Sequence, residues 1–338
     1  MGSEMCIRDR PEVSSKDWVI RQYDHEVRGR TALKPMQGPI GKDSPGDSSV
    51  LKPIENSWKG LALTADVNPY LMEANPYHGT MSAVEEVCRN LASVGARIDS
   101  LADCLCFGNP RKPDIMGQFK ASCEALRDAA TAIDVPYVSG NVSLYNETSE
   151  GAIPPTPVLM GVGIVNDIRK CVTSDMKSEG TIWLVGDTKE EMGASLYYRI
   201  IGKECPSVPK TDFDSFIPRM EKLIQAIENG EVVACHDIST GGLAMAVIEM
   251  CMSGNGVKIN LTGKMRADVE LFSEGNGRWV VQVAPGFEED FRKRFDFAEI
   301  IGDVDDKIIF NKNGEKLVEL GIDKTREEWI NPIWTRMP

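Results

Sequence analysis

What the 338-residue sequence lacks limits its chemistry more sharply than what it holds. Its 9 cysteines are odd in number and include no CxxC pair. That excludes a disulfide framework and a zinc ribbon, and it fits a reducing, cytoplasmic setting. No apolar run approaches the ~18 residues of a membrane span; the longest, such as 158–165, are strand-sized. Cations are in deficit, with Lys+Arg 38 against Asp+Glu 51 and a net charge of −13. A groove that tracks nucleic-acid phosphates needs clustered cations, so nucleic acid is not an expected partner. Only 3 histidines occur, and His25 and His78 have no Ser, Cys or second His at a useful spacing, which points away from catalysis. The glycine cluster at 274–278 is not GxGxxG, so no dinucleotide fingerprint is present.

The length suits two cored domains of roughly 100 to 200 residues each. Residues 1–10, MGSEMCIRDR, read as translated adaptor sequence rather than part of a fold, and the abrupt start near Pro11 implies a truncated gene product. Residues 11–56 read as a Pro- and Gly-rich connector with a first strand, its GPIGKDSPGDSS run an exposed loop. A first domain is expected over 57–168. Gly60 to Thr64 reads as a strand, Ser82 and Glu85 have capping-box spacing, and Met81, Val84, Val87, Leu91 and Val94 keep helical spacing up to Gly95. Phe119, Cys123, Leu126, Ala130 and Ile133 mark a second helix, followed by strands at Tyr137 and across Val158 to Val165. A second domain over 169–338 restarts at the strand TIWLVG, with a helix carrying Phe216, Met220, Leu223, Ile224 and Ile227 on one face. This alternation is that of a mixed α/β or α+β fold.

Three segments carry candidate chemistry. SGNVSLYNE, Ser139 to Glu147, follows a strand and bunches a glycine, amides, hydroxyls and a carboxylate. Gly140 allows backbone to approach a phosphate, and Asn141 offers an oxygen to a hard cation such as Mg²⁺. The same residues equally describe a turn. Asp103, in LADCLCFGNP at the end of a strand, is suited to a nucleotide or metal and equally to capping a turn; Cys104 and Cys106 share a strand face and read as packing residues. CHDISTGGLA, Cys235 to Ala244, sets a Gly-Gly pair at a helix start, where free amides attract anions. Asp237 or Ser239 as a simple cap explains it as well.

Together with DHEVRG at 24–29, PTPVLMGVG at 155–163 and LFSEGNGRW at 271–279, these motifs stand in the order found in the second half of the phosphoribosylformylglycinamidine synthases, which this chain resembles over about Lys16 to Val283 and more weakly beyond. The HD and Gly-Gly motif alone is shared more widely, with aminoimidazole ribonucleotide synthetase, selenophosphate synthetase, thiamine-phosphate kinase and a hydrogenase maturation protein. The resemblance implies a PurM-like half, with an N-terminal sheet-and-helix domain and a C-terminal α/β domain. It implies an ATP-dependent ligase of purine biosynthesis that uses Mg²⁺. Carried over by motif, Asp103 and Gly140 contact nucleotide, Asn141 ligates magnesium and Ser143 contacts formylglycinamide ribonucleotide. No catalytic residue falls in this half. The implied partners are an N-terminal synthetase half, a glutaminase subunit or domain, because no Cys–His pair here has the context of an amidotransferase nucleophile, and a small bridging subunit. Asp66 and Asn68 stand where the first half carries its histidine loop, which implies a degenerate copy, and Thr240 stands where an acid is common, which argues against an anion or metal role for that loop. The rival readings are a stand-alone synthetase or kinase of the wider superfamily, and a non-catalytic nucleotide-binding or assembly module.

Overall fold

The computed structural model describes residues 10–205 and 207–337; of the stretch 1–10, only Arg10 lies within the described residues. A six-stranded sheet is built from β1 (Thr31–Leu33), β2 (Ser49–Leu51), β3 (Gly60–Asp66), β4 (Arg97–Cys106), β5 (Tyr137–Ser143) and β6 (Thr156–Val165). Its order is β1-β2-β3-β6-β4-β5, antiparallel except for the parallel pair β4/β5, which leaves β5 as an edge. Two helices lie on one face, α1 (Pro76–Ser93) and α2 (Pro113–Ile133).

The second sheet has seven strands: β7 (Thr181–Val185), β8 (Val232–Asp237), β9 (Gly256–Leu261), β10 (Trp279–Val283), β11 (Glu299–Asp305), β12 (Ile308–Lys312) and β13 (Glu315–Leu320), in the order β8-β10-β7-β11-β9-β12-β13. Around it pack α3 (Phe213–Glu228), α4 (Gly242–Met250) and α5 (Ile322–Trp334). The five apolar residues expected on one face of α3 are all buried there. Among the described residues no helix is long and apolar enough to cross a membrane.

Three local expectations change. α1 begins six residues before Ser82, at Pro76, because Asn75 caps it by accepting from the His78 amide at 2.9 Å. Glu85 is therefore not a capping acid: its side chain pairs with Arg89 and accepts from the Gly277 amide at 3.2 Å. The connector is not simply exposed, since its residues supply β1 and β2 and bury Gln37, Ser44 and Ser48. Gln37 Oε1 accepts from the Ser174 amide at 2.9 Å, tying the loop to the segment that leads into the second sheet.

α1 is buried along nearly its whole length, polar side included, because it is packed between the first sheet and the second domain. Arg89 is 1% exposed; its Nε donates to Asp237 Oδ2 at 3.1 Å, and its guanidinium also pairs with Glu85 and Glu86. Beside it, His236 donates from Nδ1 to Asp47 Oδ1 at 2.5 Å, and its Nε2 faces Glu249 at 3.2 Å. Burial alone would lower the His236 pKa, but Asp47 and Glu249 outweigh it and hold the ring well above its ordinary value. Removal of either ion alone would strand its partners in a low-dielectric site.

α1 approaches β6 closely because Gly161 and Gly163 face it. A Cβ on Gly161 would overlap Val87, and one on Gly163 would crowd Leu91. Gly161→Ala is expected to cost about 1 to 3 kcal/mol by overpacking, read as a lower urea midpoint with unchanged slope, and Val87→Ala in the same chain should recover part of it. A neutral Gly161→Ala would contradict this packing.

Asp66, at the end of β3, is half-buried with its Oδ2 atom buried and unpartnered, and desolvation raises its pKa from 3.8 to about 6 against the hydrogen bond it shares with Glu86. The folded state thus holds a proton that the unfolded chain releases, so stability falls as pH rises from 3.8 to about 6. Asp66→Asn keeps the hydrogen bond without the shared proton. It should flatten the pH profile in that window and raise stability at neutral pH by on the order of 1 to 3 kcal/mol; an unchanged profile in chemical denaturation would refute the shared proton.

Candidate functional site

The two most informative motifs are neighbours. In the parallel β4/β5 pair, Asp103 stands opposite Gly140, Cys104 opposite Asn141 and Cys106 opposite Ser143. Ser139 to Ser143 belong to β5 itself, not to a turn that follows a strand, and Asp103 lies within β4 rather than at its end. The parallel alignment places both motifs at the same end of the sheet, Ser139 to Ser143 on the edge strand β5 and Asp103 on its neighbour β4.

Side-chain alternation then divides the set. Asp103 faces the helical layer, where a Cβ on Gly140 would lie 2.9 Å from Asp103 Oδ2, so the glycine leaves room for the carboxylate. Burial raises the Asp103 pKa, and the hydroxyl of Tyr137, near enough to feel its charge, is buried without a hydrogen-bond partner. On the opposite face, Asn141 Nδ2 donates to Cys104 Sγ at 3.4 Å, and Cys104 and Cys106 bring their sulfurs to 3.7 Å. The cysteines are therefore half-buried and in mutual contact, not simply packed away. Asp103 with Gly140, and Asn141 with Ser143, can reach one ligand only where it wraps the exposed edge.

The loops beyond the strands are fastened together. Asn146 Nδ2 donates to Phe107 O at 3.0 Å and Ser143 O at 2.9 Å, while Glu147 accepts from the Asn109 amide at 2.8 Å and from Lys112 Nζ at 2.9 Å. Asn146 and Glu147 were visible as polar residues of the motif, but apart from Ser143 O their partners lie 35 or more positions away. No spacing rule identifies them.

The second domain's loop has a different character. At CHDISTGGLA, Glu274 Oε1 accepts from the amides of Gly241 (2.8 Å) and Leu196 (2.9 Å), and burial pushes its pKa up to about 7. A carboxylate from the chain itself thus takes the anion position at the start of α4, where Gly241 and Gly242 both have positive φ. Asp237 is held by Arg89 and does not cap the helix. Asp47, His236 and Asp237 come within 4.8 Å of one another, yet both nitrogens of His236 already face carboxylates, so the ring cannot ligate a metal. A cavity of about 190 Å³ bordered by Asp187, Asn260 and Lys264 takes only Leu243 from these motifs and none of their polar residues.

Two family models match, the N-terminal domain of AIR synthase related proteins over residues 45–165 and the C-terminal domain over 177–310. Phosphoribosylformylglycinamidine synthase subunit PurL from Methanothrix thermoacetophila is 38% identical over 341 residues, 96% of this chain and 43% of that protein. The subunit from Thermococcus sibiricus is 42% identical over 315 residues, 91% of this chain and 42% of its own length. The chain thus spans less than half the length of these curated relatives. Among solved structures, Thermotoga maritima PurL complexed with FGAR superposes with a TM-score of 0.75 at 17% identity, over 96% of this chain and 53% of that one. The hydrogenase maturation protein HypE in complex with ATP superposes with a TM-score of 0.58 at 17% identity, over 77% of this chain and 84% of that one, a likeness of fold. The chain belongs to the AIR synthase related family, and across 91 to 96% of its length its relatives there are phosphoribosylformylglycinamidine synthase subunits.

Proposed function

We propose that this chain serves as the second half of an ATP-dependent phosphoribosylformylglycinamidine synthase, a cytoplasmic ligase of purine biosynthesis that converts formylglycinamide ribonucleotide to the amidine with glutamine-derived ammonia. The observation that carries the reading is the β4/β5 register, which sets Asp103 against a residue without a side chain and aligns Asn141 and Ser143 along the same free edge. On this reading residues 57–168 and 169–338 are its two domains, and Asp103 and Gly140 receive the nucleotide. Asn141 Oδ1 is a hard oxygen donor of the kind Mg²⁺ accepts, and it is exposed on that edge. The ion, when bound, supplies charge neutralisation for phosphoryl transfer, which depends on positioning more than on covalent help from the protein.

The general base belongs to the other synthetase half. That division is supported by the charges around α1 and α4, where Arg89 is committed to Asp237 and Glu274 to the Gly241 amide of the chain itself. The partner half would cover the face of the first sheet that bears Leu61, Leu63, Val162 and the 41%-exposed Met160. Ammonia comes from a glutaminase subunit or domain, with a small bridging subunit as the further expected partner.

In a complete enzyme joined from this chain and a matching first half, Asn141→Ala should impair nucleotide use at every ribonucleotide concentration, with partial rescue by raised Mg²⁺. Ser143→Ala should lower kcat/KM for the ribonucleotide about ten- to a hundredfold, the loss of about 1.5 to 3 kcal/mol for a hydrogen bond to a charged acceptor, while ATP affinity stays unchanged. If both variants melt early yet turn over normally per folded molecule, Ser139 to Glu147 only shapes the edge and the assignment fails.

A further inference from the structure

We propose that Cys104 and Cys106 form a binding site for a soft or borderline divalent cation such as Zn²⁺ or Cd²⁺, which rests on the two thiols and shares only Asn141 with the nucleotide reading. The two thiols lie at alternate positions of β4 and project from the face opposite Asp103, with their sulfurs 3.7 Å apart. Two thiolates on a tetrahedral zinc, each at about 2.3 Å from the ion, stand about 3.8 Å apart. The strand therefore already holds the sulfurs at the span the ion requires, and no backbone movement is needed to close the site.

The neighbours fit the same task. Asn141 directs its carboxamide at Cys104 Sγ from 3.4 Å, and a flip of that amide turns Oδ1 toward the ion as a third ligand. Ser143 lies opposite Cys106 in the register and is itself held by Asn146, whose Nδ2 donates to Ser143 Oγ at 3.2 Å. A water completes the coordination. Both cysteines are half-buried, so an ion can reach them from solvent in this chain alone, on the face the partner half would cover, whereas Cys88, Cys235 and Cys251 are buried. On binding, each S–H bond is replaced by an S–metal bond, two protons pass to solvent, and no electron is transferred.

The test titrates the chain with Cd²⁺ in a phosphine reductant and follows the ultraviolet thiolate-to-cadmium charge-transfer band. The band should saturate at one ion per chain, be displaced by Zn²⁺ and persist in Cys123→Ser. Affinity should fall at least about a hundredfold in Cys104→Ser and in Cys106→Ser, beyond the ~10- to 100-fold typical of losing an outer partner. Should a serine variant fail to fold, alkylation mapping of the unaltered chain decides instead: Zn²⁺ should protect Cys104 and Cys106 together. A band that survives in the double variant, saturation at no defined ratio, or alkylation of both thiols at the same rate with and without Zn²⁺ would overturn the site.

Discussion

Arg89 is the constraint on which the arrangement of the two domains depends. A guanidinium buried in α1 is tolerable only if it is fully paired, and its partners come from both sides: Glu85 and Glu86 from its own helix, Asp237 from the end of β8. Pairing with Asp237 fixes which side of α1 faces the second sheet. It also places Trp279 so that its Nε1 donates to Arg89 O at 3.2 Å. Asp47 extends the same logic to the connector, because its second oxygen accepts from the Asp237 amide at 3.1 Å while its first is bonded to His236. The long N-terminal segment is thereby seated against both domains.

This self-pairing has a functional corollary. Charges that hold the domains together are not available to hold a ligand, and Glu274 occupies the Gly241 and Leu196 amides. The chemistry left open is at the far edge of the first sheet, where Asp103, Asn141 and Ser143 have few fixed partners and Gly140 leaves space. A half that spends its interdomain charges on itself and presents an edge is suited to completing a site shared with another half.

Much of the scaffold was legible from periodicity. The buried face of α3 and the strands β6 and β7 follow their apolar spacing, and Gly95 takes the positive φ expected after α1. Less was legible where a long-range partner decides a role. Ser82 and Glu85 have capping-box spacing, but Asn276 and Gly277 claim their side chains from nearly two hundred positions away. A local rule cannot weigh a nearby amide against a distant one. The candidate edge was readable as two separate motifs, and their register was not, because parallel pairing across the intervening helix α2 is a property of the fold.

The central claim is that this chain completes a site rather than housing one. The direct measurement is a complementation assay with ATP, Mg²⁺, ammonium and formylglycinamide ribonucleotide, run on this chain, on a matching first half, and on the two mixed. The account predicts turnover only in the mixture, approaching the order of 1 per second. Turnover at that rate by this chain alone would contradict it.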